Sequence, residues 1–266
     1  YQLLPSRNYF DNSDENYKYY VFKAFDDDDN KLSFEQTSTY LKDSGRNSLL
    51  VDRADAFHQE IDDLDPADYG VKTYNIVGCG TPTIGQFYIF ENKGHPIYNI
   101  KMINGDGTVP LKSAEAVPAL KTYYVKNAQH ALMPSTSGVK ELVAGILTGE
   151  GDFNIGPYSN LALTADNCQI PNGKIVSFHS PIELHIYDQS GNHTGPDING
   201  DIENNIAGVV YEVIDDNKFA FLPDGVDYTI KGKATNAGTF DVRIQELLNG
   251  EVTATTIFSD IPLTPN

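Results

Sequence analysis

The sequence predicts an α/β domain followed by an all-β domain. Up to about residue 149, β-rich runs alternate with stretches whose apolar residues recur every three or four positions, as in a sheet flanked by helices. Beyond Gly151, helical spacing disappears, and short period-two runs separated by turn residues suggest a small antiparallel β-sandwich. Charge changes at the same place: the net −18 divides into −7 over residues 1–151 and −11 over residues 152–266. A chain of 266 residues accommodates two ordinary domains, here 1–151 and 152–266.

The first element is the run Tyr17 to Phe22, a strand or buried segment, followed by a charged turn from Asp26 to Asn30. Ser33 and Gln36 have capping-box spacing, which predicts a helix start with Tyr40 and Leu41 on its apolar face and Ser44-Gly45 at its end. A second helix is expected over Ser48 to Leu64, with the apolar residues Leu50, Ala54, Phe57, Ile61 and Leu64 at three- and four-residue intervals and Asp65-Pro66 closing it.

Val71 to Val77 then reads as a core strand that runs into the glycine turn Gly78-Cys79-Gly80. Gln86 to Phe90 and Ile97 to Met102 form a hairpin pattern across Asn92-Lys93-Gly94, and Lys121 to Val125 is another short strand. Val139, Leu142, Val143, Ile146 and Leu147 define an amphipathic helix that stops at Gly149. In the second domain, Ile182, Leu184 and Ile186 share one face, as do Phe240, Val242 and Ile244, with Glu183, His185, Asp241 and Arg243 pointing the other way. Ser190-Gly191, Asp224-Gly225 and Asn249-Gly250 mark turns between strands.

Composition is globular, with 16 Tyr and 13 Phe supplying bulk in the absence of Trp. The −11 of residues 152–266 argues against nucleic-acid binding and against electrostatic docking of that part on anionic bilayers. Cys79 and Cys168 fall in different predicted domains and are expected to be free thiols. No run approaches the length of a membrane span, and no signal peptide opens the chain. The start at Tyr1 leads to the expectation of sequence upstream.

The sharpest local feature is Asn104-Gly105-Asp106-Gly107-Thr108-Val109-Pro110 after a predicted strand. Glycines on both sides allow a tight turn that leaves the Asp106 carboxylate at a strand's C-terminal end, where open α/β sheets place their sites. An ordinary turn is the competing reading. His130 follows 24 residues later, between the strand Lys121 to Val125 and the last helix. Asp then His, each on a loop after a late strand, matches the α/β-hydrolase chain order of Ser, Asp, His.

These residues resemble the lecithin:cholesterol acyltransferase family of lipid acyltransferases and phospholipases, over Tyr1 to about Gly149. The resemblance rests on Tyr1-Gln2-Leu3-Leu4-Pro5-Ser6, Tyr74 to Thr83, Gly105 to Pro110 with Ser113, and His130 followed by Leu132 and Met133. It implies the C-terminal half of an α/β-hydrolase domain, with Asp106 and His130 as triad members acting on lipid or other esters. No Gly-x-Ser-x-Gly nucleophile elbow occurs in the 266 residues, so the serine is expected on a missing N-terminal half, and this chain is expected to be inactive alone. The β-domain resembles accessory domains of secreted bacterial hydrolases, which implies an extracellular or cell-surface location. A non-catalytic protein presenting its sandwich to protein, glycan or cell envelope is the alternative; the lack of Trp weakens glycan stacking.

No cofactor is expected. Asp26, Asp28 and Asn30 begin like a calcium loop, but Lys31 and Thr37 stand where Gly and Glu belong. Asp197, Asn199 and Asp201, with Glu203 in reach, form a better oxygen-ligand loop; an exposed turn is the competing reading. His95 precedes Asp106 and would reverse the triad order, while His58, His185 and His193 are expected to be structural or exposed. Tyr and Phe between residues 87 and 98 fit either an acyl-chain pocket or core.

Overall fold

The computed structural model describes residues 6–10, 22–24, 32–92, 95–149, 153–179 and 181–264. The acidic run 26–30, the turn residues 93 and 94, the opening motif 1–5 and most of the first predicted strand lie outside them. The chain mixes helices with parallel and antiparallel sheets and divides into two compact units, Tyr1–Gln169 and Ile170–Asn266.

In the first unit, a short helix α1 (Arg7–Phe10) and strand β1 (Phe22–Ala24) precede helices α2 (Phe34–Asp43) and α3 (Ser48–Ile61). Ser33 caps α2 by accepting from the Gln36 backbone N–H, and the Gln36 side chain returns a bond to the Ser33 N–H at 2.8 Å. The box satisfies two donors that the first turn would otherwise leave open. α2 and α3 pack through Phe34, Leu41, Val51 and Ala54. Here the structure departs from the expected apolar stripe of α3: Leu50, Phe57, Ile61 and Leu64 are exposed. The contact with α2 selects the narrower Val51–Ala54 edge.

Strands β2 (Tyr74–Cys79), β3 (Thr81–Asn92), β4 (His95–Gly105), helix α4 (Leu111–Glu115), β5 (Lys121–Lys126), helix α5 (Val139–Leu147) and β6 (Leu161–Ala162) complete this unit. β3 and β4 form a long antiparallel hairpin, registered from Thr81↔Gly105 to Asn92↔His95, and β1 lies parallel to β3. β2 and β5 are parallel and in register from Tyr74↔Lys121 to Cys79↔Lys126, so their C-terminal ends lie side by side. β6 pairs antiparallel with β5, which joins the segment beyond residue 151 to the first unit. Val139 of α5 packs with Val125, Ala128 and Leu161, while Val143 and Leu147 remain exposed.

Cys79 and Cys168 form a disulfide, with an S–S distance of 2.06 Å and a Cα–Cα distance of 5.3 Å. This corrects the expectation of two free thiols in different domains. The chain returns through β6 to the end of β2, where both sulfurs are buried beside Val77 and Leu111.

The second unit contains β7 (Gly173–His179), β8 (Ile182–Asp188), β9 (His193–Pro196), β10 (Ile202–Asn204), β11 (Val210–Ile214), β12 (Asn217–Pro223), β13 (Tyr228–Ala234), β14 (Gly238–Leu248) and β15 (Glu251–Leu263). They form a four-stranded sheet, β10-β9-β8-β13, and a five-stranded sheet, β11-β12-β7-β14-β15, with antiparallel pairing throughout. Ile182, Leu184 and Ile186 of the first sheet share one apolar core with Val176, Phe178, Ala220, Leu222 and Val242 of the second. Two sheets around one core make a β-sandwich. Asn249 and Gly250, both at positive φ, join β14 to β15, the backbone that a two-residue hairpin turn requires.

Candidate active site

The parallel ends of β2 and β5 set the stage. The chain leaves β2 at Gly80, runs through the β3–β4 hairpin and returns at Asp106, which bridges Thr81 in parallel sense. Gly105 forms an antiparallel bridge to Pro110; a Cβ there would lie 2.4 Å from both Thr83 Oγ1 and the Val109 carbonyl oxygen, so only glycine fits. Asp106 Oδ1 accepts from the backbone N–H groups of Thr108 at 3.0 Å and Val109 at 2.7 Å. Those two bonds fix the carboxylate's orientation and leave Oδ2 to point outward from the turn.

Oδ2 accepts from His130 Nδ1 at 2.8 Å. His130 opens a 3-10 turn, His130–Ser135, just after β5, and its backbone N–H donates to the Asp106 carbonyl oxygen at 2.9 Å. Side chain and main chain therefore tie the same two residues together. The Asp106 side chain is 5% exposed and that of His130 is 47% exposed. A buried anion facing an accessible imidazole is the geometry in which Asp holds the proton on Nδ1 and leaves Nε2 with a lone pair. Among the described residues, Asp106 is the one side-chain partner of His130.

Several supporting residues carry no motif of their own. Gly78 of β2 lies beneath the pair, and a Cβ on it would come 2.5 Å from Asp106 Cβ and 3.0 Å from Ala128 Cβ. Thr83 Oγ1 accepts from the Gly107 N–H at 2.9 Å, and Thr81 Oγ1 donates to the Ala128 carbonyl oxygen at 2.6 Å. Asn104 Oδ1 accepts from the Gly80 N–H at 2.7 Å, while its Nδ2 donates to the Cys168 carbonyl oxygen. The disulfide segment is thus hydrogen-bonded to the strand that delivers Asp106. Sequence reasoning gave none of these residues a supporting role and read Gly78 as part of a glycine turn, whereas it lies within β2.

The remaining candidates lie elsewhere. Asp197 Oδ1 accepts from the N–H groups of Asn199 at 2.7 Å and Asp201 at 2.9 Å, which turns the carboxylate into its own loop. Desolvation pushes its pKa up, but those bonds together with the Asn199 side chain and the Gly200 backbone outweigh it and hold the pKa below the ordinary value. Glu203 is bonded to His193 instead. Among the described residues, no group of three or more His, Cys, Asp or Glu is placed to hold a metal ion. His58 of α3 pairs at 2.8 Å with Asp62, the residue that caps the helix C-terminus, and His95 opens β4 with its side chain outside the described residues. Tyr98 is buried and meets Phe87 edge to face at 6.3 Å. Among the described residues, no helix is long and apolar enough to cross a membrane. Compared with known proteins, the chain matches no family model and no curated sequence.

Proposed function

We propose that this chain supplies the Asp and His of a serine-dependent lipase, esterase or O-acyltransferase, as the C-terminal portion of an α/β-hydrolase domain similar to the lecithin:cholesterol acyltransferase family. The observation that carries the reading is the Asp106–His130 pair: a buried carboxylate fixed by two backbone N–H groups and bonded to the Nδ1 of a half-exposed imidazole. Its position beside the C-terminal ends of the parallel strands β2 and β5, with Asp106 bridged to Thr81 and His130 just after β5, supports the same reading.

In this scheme His130 Nε2 accepts the proton of a serine hydroxyl carried by polypeptide outside these 266 residues. The serine oxygen attacks the ester carbonyl carbon, and Asp106 stabilises the imidazolium that forms. His130 then gives the proton to the departing alkoxide, and water or an alcohol, activated by the same nitrogen, releases the acyl group. A lipid or other ester is the proposed substrate. The disulfide fits an oxidising compartment, which supports the proposal of an extracellular or cell-surface location.

A serine-reactive fluorophosphonate tests the proposal. The 266-residue chain is expected to stay unlabelled, and a longer protein that includes the segment upstream is expected to be labelled on a Gly-x-Ser-x-Gly serine and to lose labelling on His130→Ala. A stoichiometric adduct on this chain, or an upstream segment without that motif, overturns it.

A further inference from the structure

Four titratable side chains form a line on the face of the four-stranded sheet opposite the sandwich core. Glu183 and His185 come from β8, His193 from β9 and Glu203 from β10. His193 Nδ1 lies 2.9 Å from Glu203 Oε2, and His193 Nε2 lies 3.0 Å from His185 Nδ1. His185 Nε2 is 3.6 Å from Glu183 Oε2 and makes no hydrogen bond among the described residues. The two imidazoles lie nearly coplanar, their planes 23° apart and their centroids 5.2 Å apart, and Tyr187 stacks on His193 at 4.8 Å. From β13, Lys231 lies over the Tyr187 ring and Lys233 pairs with Glu183 at 2.9 Å. Gly195 makes this approach possible, since a Cβ there would meet His193 Nε2 at 3.2 Å and the Leu184 carbonyl oxygen at 2.6 Å.

Proton counting on the four ring nitrogens separates three states. With both rings neutral, His193 Nδ1–H serves Glu203 and His185 Nδ1–H serves His193, which leaves the His185 Nε2 lone pair facing the Glu183 carboxylate. With one added proton, His193 donates from both nitrogens, His185 accepts on Nδ1, and its Nε2–H points toward Glu183, so every nitrogen faces a complementary group. With two added protons, an N–H meets an N–H across 3.0 Å. The one-proton state alone satisfies the line.

We propose that His185 and His193 act as one proton-holding unit, completed by a first proton and opened by a second, which gives the β8–β9–β10 edge a built-in response to acid. Burial first, and then the charge of His193, hold the His185 pKa below its ordinary value, with Lys233 acting the same way and Glu183 opposing them. Lys233 in turn holds the Glu183 carboxyl below its usual range. The second proton therefore enters against both burial and a like charge, and it separates the rings. β10, with all three residues exposed, depends on β9 for its pairing and on Glu203 for its bond to His193, so opening loosens that edge strand.

Long-range imidazole nitrogen spectra of the whole chain from pH 9 to pH 4, with amide exchange at residues 202–205, test this. The two rings are expected to move together in a first step and again in a lower second step, with exchange rising at the second. His193→Gln is expected to leave His185 a single step, displaced upward from the wild-type second step. If that variant fails to fold, Glu203→Gln keeps both rings, and the first step is expected to move to lower pH in both. Independent single steps in the wild type, or a His185 titration unaffected by either substitution, overturn the proposal.

Discussion

His130 is joined to Asp106 twice: its ring Nδ1 meets the carboxylate at 2.8 Å, and its backbone N–H meets the carbonyl oxygen of the same residue at 2.9 Å. The main-chain bond survives substitution of the side chain, so Asp106→Asn is expected to keep the loops together. The amide would still favour the wrong imidazole tautomer. On the proposed function, kcat of the longer protein that carries the serine is expected to fall by roughly 10³- to 10⁴-fold with little change in KM. An unchanged kcat would remove Asp106 from the mechanism.

Gly78→Ala is expected to disturb the pair from below, because the added methyl would lie 2.5 Å from Asp106 Cβ. Overpacking of this kind lowers stability by about 1–3 kcal/mol, read from the urea midpoint. The His130 ring resonances are expected to shift as well. Normal stability with unmoved resonances would show that the strands separate freely.

The disulfide predicts no free thiol in the unreduced, unfolded protein, and two after reduction, measurable with a thiol reagent in denaturant. Its bridge spans 89 residues, and losing it through paired Cys79→Ala and Cys168→Ala substitutions is expected to lower stability by about 2–5 kcal/mol. Two titratable thiols before reduction would contradict it.

Acid sensitivity is also expected from His179, which is buried and hydrogen-bonded to Asn217. Desolvation is the main cause that holds its pKa below the ordinary value, with the Asn217 bond opposing it. The unfolded chain therefore takes the proton first, at about pH 6.5. Stability is complete above that pH and declines as pH falls toward the folded-state value. His179→Gln is expected to flatten the dependence of the urea midpoint between pH 8 and pH 5, and an identical slope would exclude His179 as a source.

The capping box at Ser33 and Gln36 and the inward set Ile182, Leu184 and Ile186 were legible because each depends on residues near in sequence. The placement of Asp106 and His130 after strands was legible for the same reason. Which face α3 buries depends on α2, and the disulfide depends on a return through β6, so both required tertiary information. Thr83 and Asn104 support the pair through bonds 24 residues distant in sequence, and no local pattern announces them. Period two correctly turned His185 away from the core, but its meeting with His193 follows from the β8–β9 register.

The Cys79–Cys168 bond encloses Thr83, Asn104, Asp106 and His130 within one covalent ring. A protease that nicks any loop between residues 80 and 167 opens that ring into a single linear tether without releasing either piece. The acid and the base would stay in one molecule after the cut, as one band on a non-reducing gel and two after reduction. Clipping alone would therefore not disperse the pair: for proteolysis to separate it, either a second cut or a reductant acting after the first is needed.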